Sequence, residues 1–356
     1  MFWIGLQLEE RSLKWAKIHK KGKKLYITEL KEAPLSEESP VNPLYISPKE
    51  EPFTYVVSGL SSEDVLFREL PFTGLKKKNL YKILPFQIEP LLPYSPAEAV
   101  VVLQTSTPSP SFFTTKISVL LSHKETWQGV QIEPDEISCV PMALQRFATY
   151  FFPEEESIAV LHMDLHTTTI VYQNKGKILF SHTLSLGYET LSSREEEELL
   201  RYKRELDRVF VGLQQKPACQ IENILLTGWF SSLADQNFLF LPEDAILLPC
   251  SNDLASYAIP IGLALDGSLL DRKSVFFSQN RFSSRSLQKK RKRFFLLFIS
   301  AACFLTTVNL TLGTFYLHKQ KNQLYADFST VTKTDDVPSS LEELQEALLQ
   351  NKKLFL

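Results

Sequence analysis

Three side chains near the middle of the chain have the types and spacing to do chemistry. His162, Asp164 and His166 alternate within HMDLH, and on an extended strand that alternation puts all three on one face. Two imidazoles and a carboxylate on one face are part of a metal-ligand set. A closed site needs a fourth donor, which the sequence does not identify, so the pattern reads as a polar strand face and no metal is expected. The chain has no Ser-His-Asp pattern, no G-x-S-x-G and no Walker loop. Its four cysteines, Cys139, Cys219, Cys250 and Cys303, are scattered without a C-x-x-C. That spacing suits reduced thiols and argues against a zinc site or a disulfide framework.

The strand carrying this face belongs to a weak internal repeat. Ile4–Leu30 reads IGLQLEERSLKWAKIHKKGKKLYITEL, and Val160–Leu184 reads VLHMDLHTTTIVYQNKGKILFSHTL. Each has a strand, a polar kink, a second strand, a Gly turn (Gly22, Gly176) and a third strand. In this pairing Gln7 takes the place of Asp164. Two copies of one meander imply two related α/β subdomains facing each other.

Other elements fill the space around the copies. Residues 34–52 are Pro-rich and read as loop. Tyr55–Leu60 and Val65–Phe72 read as strands, Lys76–Phe86 as an amphipathic helix, and Ala99–Leu103 with Phe113–Leu121 as a strand pair. Pro141–Phe152 reads as a helix. Ser192–Gln215 is the clearest helix, with Leu199, Tyr202, Leu206, Val209, Phe210 and Leu213 on one face. Ile221–Gly228 reads as a strand, and Ala255–Leu265 as a buried helix complicated by Pro260.

From Phe294 to Leu317 the chain has no Asp, Glu, Lys, Arg or His. A helix over Phe294–Tyr316 would be about 34 Å long at ~1.5 Å per residue, enough for a bilayer core of ~30 Å. The hydroxyls of Thr306, Thr307, Thr311 and Thr314 can bond back to helix carbonyls. Arg281, Arg285 and Lys289–Arg293 precede the span, whereas only Lys319 and Lys321 follow it closely. The positive-inside rule then puts residues 1–293 in the cytoplasm. The net charge of −2 gives no nucleic-acid footprint, and the basic cluster suits contact with anionic membrane lipids. The domain reading is therefore a folded part over 1–270, a basic linker over 271–293, a transmembrane helix over 294–316 and a short exported tail over 317–356. A capping-box spacing at Ser340–Glu343 suggests the start of a short helix or coiled coil in that tail.

The order of these segments resembles the actin-like ATPase superfamily, and within it the type IV pilus M protein and the cytoplasmic domain of the type II secretion L protein. Ile4–Ile18 is similar to the first phosphate loop and His162–Gly187 to the second. Val56–Phe72, followed by Leu84–Tyr94, resembles the family's strand with Arg-x-x-x-Pro and its later helix. Ile224–Gly228 resembles the adenosine loop, and Tyr257–Leu265 the segment that closes the fold. The resemblance covers roughly residues 1–270. It implies an α/β, actin-like fold made of two ribonuclease H-like lobes, with Asp164, Thr167 and Gly228 marking a relict nucleotide cleft.

An active cleft of this kind needs two Asp-x-Gly turns whose backbone N–H groups approach the phosphates. Here the turns read Gln7-Leu8-Glu9 and Asp164-Leu165-His166. Glu9 then puts an anion against phosphate, and two charges ~4 Å apart at an effective dielectric of ~20 repel by about 4 kcal/mol. Trp229 follows Gly228 and is expected to fill the base pocket. The fold is thus expected without hydrolysis and without a cofactor. The resemblance implies a bitopic inner-membrane scaffold that contacts a cytoplasmic secretion or pilus ATPase and other platform subunits, with self-association left open. The rival reading is a membrane-tethered actin-like ATPase that uses Mg-ATP.

Overall fold

Both copies of the repeat fold as three-stranded meanders. The computed structural model describes residues 2–10, 12–22, 24–34, 54–70, 83–84, 86–104, 110–192, 195–216, 219–232, 241–242, 245–269, 274–278 and 285–332, with Glu346 and Leu349. Strands β1 (Phe2–Leu8), β2 (Ser12–Lys21) and β3 (Lys24–Pro34) pair antiparallel. Then β4 (Thr54–Leu60) pairs parallel with β1, and β8 (Glu136–Cys139) pairs parallel with β4, giving the order β3-β2-β1-β4-β8. The second half repeats this topology. β9 (Ser157–Met163), β10 (Thr168–Asn174) and β11 (Lys177–Leu184) form the meander, and β12 (Asn223–Gly228) and β13 (Ile246–Leu247) add parallel strands in the order β11-β10-β9-β12-β13. Gly22 and Gly176 close the last hairpin of each meander in the left-handed region, at φ 65° and 69°.

A smaller subdomain is inserted between β4 and β8. It contains β5 (Leu66–Glu69), β6 (Ala99–Gln104) and β7 (Ser111–Lys116) in the order β5-β7-β6, and helix α1 (Ile117–Gly129). The sequence reading ran a strand through to Leu121, and the structure ends it at Lys116. Ile117, Val119 and Leu121 alternate like a strand, but the chain coils and buries Leu120 and Trp127, seven residues apart on one helix face, leaving Leu121 exposed. The helix expected over Lys76–Phe86 lies almost wholly outside the described residues.

Two helices fill the layer between the sheets. These are α2 (Val140–Phe151) and α6 (Ala258–Leu269). Their side chains join one core with Trp3, Ala16 and Val57 of the first sheet and Ile158, Val160 and Leu225 of the second. Alternate residues of the same strands point the other way. Ile4, Leu6 and Val56 meet Trp127 of α1. Ala159, Leu161 and Ile170 meet Tyr202, Leu206 and Phe210 of α4 (Glu196–Gln214), which follows the short α3 (Tyr188–Ser192). Every central strand is thus covered on both faces, which explains its near-continuous apolar character. Pro260 causes no break, because it lies in the first turn of α6, where the N–H groups have no helical partner. A short helix α5 (Asn252–Ser256) precedes it.

The helices touch closely at Gly262, where a Cβ would fall 1.9 Å from the carbonyl oxygen of Ala143. They are also joined by a buried ion pair, in which Arg146 Nε donates to Asp266 Oδ1 at 2.9 Å while Ser138 Oγ donates to Asp266 Oδ2 at 2.9 Å. Burial raises the Asp266 carboxyl, opposed by the adjacent guanidinium. Residues 274–278, read from sequence as linker, belong to this core. Val275 and Phe277 are buried, Phe277 N–H donates to the Ile137 carbonyl at 2.8 Å, and Ile137 N–H donates to Ser278 Oγ at 2.6 Å.

The chain divides into two compact units, Met1–Leu287 and Gln288–Leu356. Helix α7 (Arg285–Thr332) begins inside the stretch read as linker and continues past Tyr316. Within it Phe298–Ala326, 29 residues, is long and apolar enough to cross a membrane. Its threonines bond back as expected: Thr306, Thr307 and Thr311 donate to carbonyls three residues earlier at 2.8 Å, and Thr314 does so at 2.9 Å. The tail segment at Ser340–Glu343 lies outside the described residues.

Candidate functional site

The β1–β2 and β9–β10 turns open on a common cleft of about 800 Å³ within the first unit. Their registers are equivalent. Leu8 faces Leu13 across the first hairpin, and Met163 faces Thr168 across the second. Each turn is closed by the same 2.8 Å bond, from Glu9 N–H to the Ser12 carbonyl and from Asp164 N–H to the Thr167 carbonyl. Glu9 therefore matches Asp164, and Gln7 matches His162. The sequence pairing of Gln7 with Asp164 is corrected by two residues. A slip of two preserves the inside-outside alternation of a strand, so only the hydrogen-bond register reveals it.

Both turns consequently start with a carboxylate, and each carboxylate is engaged. Lys14 Nζ donates to Glu9 Oε1 at 2.8 Å, and Ser12 Oγ donates to Oε2 at 3.3 Å. The repulsion argued for a bare Glu9 is offset by this ion pair. Asp164 Oδ1 accepts from His162 Nε2 at 3.2 Å, and His162 Nδ1 lies 2.9 Å from Thr227 Oγ1.

His162, Asp164 and His166 do not share a face. β9 ends at Met163, and the turn carries Asp164 and His166 off the strand. His162 is buried, whereas the His166 ring nitrogens reach outward to Glu10 Oε2 and Glu189 Oε2, each at 3.0 Å. Among the described residues no group of three His, Cys, Asp or Glu side chains could hold a metal ion.

Thr167 lines the cleft beside Asp164. Gly228 ends β12 at φ 70°, and a Cβ there would fall 2.3 Å from the Met163 carbonyl oxygen and 2.8 Å from the His162 ring. It lets β12 turn tightly under the second hairpin and is not among the described lining residues. Trp229 is. Its indole stacks on Tyr188, with centroids 4.7 Å apart and planes 27° apart, and Lys14 Nζ lies 5.8 Å from its centroid. The indole thus packs against the cleft wall, and about 800 Å³ remains open.

Several lining residues were missed by the sequence reading. His123 projects from α1, whose first five residues read as strand from the sequence and whose remainder carries no reading. Its Nε2 accepts from the Trp127 indole at 3.0 Å and lies 3.0 Å from Ser58 Oγ. Burial pulls its pKa down to about 4, so the ring is neutral. Glu63 and Asp64 follow β4 with no pattern to mark them, and burial raises the Asp64 carboxyl. With Glu9, Glu10, Glu32 and Asp164 they make six carboxylates on the walls, and no Lys or Arg is among the described lining residues. Nor does the second turn have a glycine for phosphate to approach, since His166 stands there. This donor set fits a nucleotide's phosphates poorly, because it is rich in carboxylates and Lys14, the cation that reaches it, is already engaged by Glu9.

Solved structures share this architecture. The chain superposes on a protein of the PilM-PilN type IV pilus biogenesis complex with a TM-score of 0.58 at 17% identity, covering 74% of this chain and 98% of that one. The cytoplasmic domain of EpsL, an inner membrane component of the type II secretion system of Vibrio cholerae, superposes at 0.48 and 9% identity, covering 79% and 100%. A Bacteroides thetaiotaomicron protein with an actin-like ATPase fold and unknown function superposes at 0.42 and 10% identity, covering 72% and 94%. No family model and no curated protein matches the sequence. At these identities the likeness is one of fold, and the fold is the actin-like one that the duplicated sheets already display.

Proposed function

We propose that this chain is a single-pass inner-membrane component of a type II secretion or type IV pilus-like assembly platform. Residues 1–293 face the cytoplasm, and the actin-like body docks the assembly ATPase without hydrolysing nucleotide itself. The observation that carries the reading is the union, on one chain, of a body shaped like a pilus-complex protein and a 29-residue apolar helix after it. The basic residues before that helix support the orientation. Segment 274–278 is pinned to β8 and to the helices between the lobes, so the folded body includes Ser278.

The rival reading, a tethered ATPase, draws on the open cleft and its two turn carboxylates. Two assays separate the readings. The full chain in detergent micelles should retain a cognate pilus or secretion ATPase in a pull-down, and calorimetry with Mg-ATP should register no heat. An ATPase that passes through unretained removes the docking role. Tight Mg-ATP binding that Asp164→Ala abolishes establishes the rival.

A further inference from the structure

We infer that two copies of this chain pair in the membrane through the apolar helix, with Asn309 of one copy hydrogen-bonded to Asn309 of the other. This rests on the membrane span alone, and it would survive an ATPase that ignores the chain.

The first observation is an amide placed in hydrocarbon. Asn309 belongs both to the uncharged run that ends at Leu317 and to the apolar stretch Phe298–Ala326. At ~1.5 Å per residue it lies about 16 Å past Phe298 and about 12 Å before Leu317, well inside the bilayer core. The threonines around it are satisfied within the helix, since Thr306, Thr307, Thr311 and Thr314 each donate to a carbonyl three residues earlier. The Asn309 carboxamide has no hydrogen-bond partner among the described residues. A polar group left unmatched at that depth is costly, and no water reaches it.

The second observation is the chemistry of the group, which selects the partner. A carboxamide donates through its NH₂ and accepts through its oxygen, so it is complementary to itself. Copies inserted in the same orientation carry Asn309 at the same depth. A two-fold axis along the membrane normal then brings amide to amide. Any other chain would need its own polar group at that depth.

The third observation is the shape of the helix around the amide. Ala302, Thr306, Asn309, Gly313 and Tyr316 follow one another at intervals of four, three, four and three. That is the seam spacing of a left-handed helix pair. At ~100° per residue these residues lie within about 60° of Asn309, whereas Phe304 and Phe315 lie about 120–140° away. All of them are exposed in the single chain. A Cβ at Gly313 would meet nothing within 4 Å, so no contact inside the chain calls for a glycine there. Small residues beside the amide let two backbones come close enough for a side chain as short as asparagine to reach across.

The test is energy transfer between full chains labelled at the N-terminus with donor or acceptor dye, in phosphatidylcholine vesicles that contain phosphatidylglycerol. The parent should show transfer that falls as unlabelled chain is added. Asn309→Leu, which keeps the span apolar, should weaken pairing about fivefold. Asn309→Gln, which keeps the amide, should retain most of it, and Phe304→Leu should leave it unchanged. In a Cys303→Ser background, mild oxidation should join Ala302→Cys copies and leave the background chain unjoined. The inference is overturned if the parent shows no transfer, if Asn309→Leu pairs like the parent, or if Phe304→Leu weakens pairing as much as Asn309→Leu does. Alkaline carbonate extraction of the same vesicles separates two failures. Chains that stay with the lipid without pairing overturn the pairing alone, whereas chains that wash off overturn the span as well.

Discussion

Acidifying the protein from about pH 7.5 to about pH 5 should cost stability through one imidazole that the fold keeps neutral. His123 Nε2 accepts the Trp127 indole N–H at 3.0 Å, so a proton there would both charge a buried ring and deprive the indole of its acceptor. In the unfolded chain the ring titrates near 6.5, and in the folded protein burial holds it to about 4. Between those values the unfolded state binds more protons. The stabilisation is therefore complete above 6.5 and is lost progressively as pH falls toward 4. Linkage gives a loss of about 2 kcal/mol at about pH 5. For a folded unit of this size that is a melting shift of roughly 4–8 °C. The assay is thermal unfolding of the full chain in micelles at both pH values, for the parent and for His123→Gln. The amide can still accept from Trp127 but does not titrate. Carboxylates and the other histidines contribute alike to both proteins, so the difference between the two pH shifts isolates His123. Equal shifts in parent and variant would refute the argument.

Gly262→Ala should lower stability by about 1–3 kcal/mol, read by denaturant unfolding, because the new methyl would fall 1.9 Å from the Ala143 carbonyl oxygen and push α2 and α6 apart. Gly129→Ala, where a Cβ meets nothing within 4 Å, is the control and should not destabilise. The membrane reading predicts that a membrane-impermeant maleimide leaves Cys303 unlabelled in sealed vesicles and labels it after the membrane is dissolved in SDS. Half-buried Cys250 of the first unit should label in inside-out vesicles and not in spheroplasts. Labelling of Cys250 from outside the cell would reverse the orientation.

The meanders, the helix over Glu196–Gln214 and the apolar span were legible because each depends on local periodicity and on turn glycines that are visible in one sequence. Helix α1 was not, because Ile117, Val119 and Leu121 satisfy the strand pattern while the contact that matters, Trp127 against Ile4 and Leu6 of the first sheet, is made with residues more than a hundred positions away. His123 was hidden with it. Residues 274–278 looked like linker because their anchors, Ile137 and Arg146, come from another part of the chain.

The chain's own letters sufficed for the duplicated α/β plan, the long apolar helix near the C-terminal end and the absence of glycine from the second turn, since residue type and near-neighbour spacing carry those properties. Three features needed the folded molecule: the equivalence of Glu9 with Asp164, the pairing of Glu9 with Lys14, and the gathering of six carboxylates on the walls of one cleft. Strand register and through-space charge are relations between distant residues, and they come into being only when the two sheets close on the helices between them.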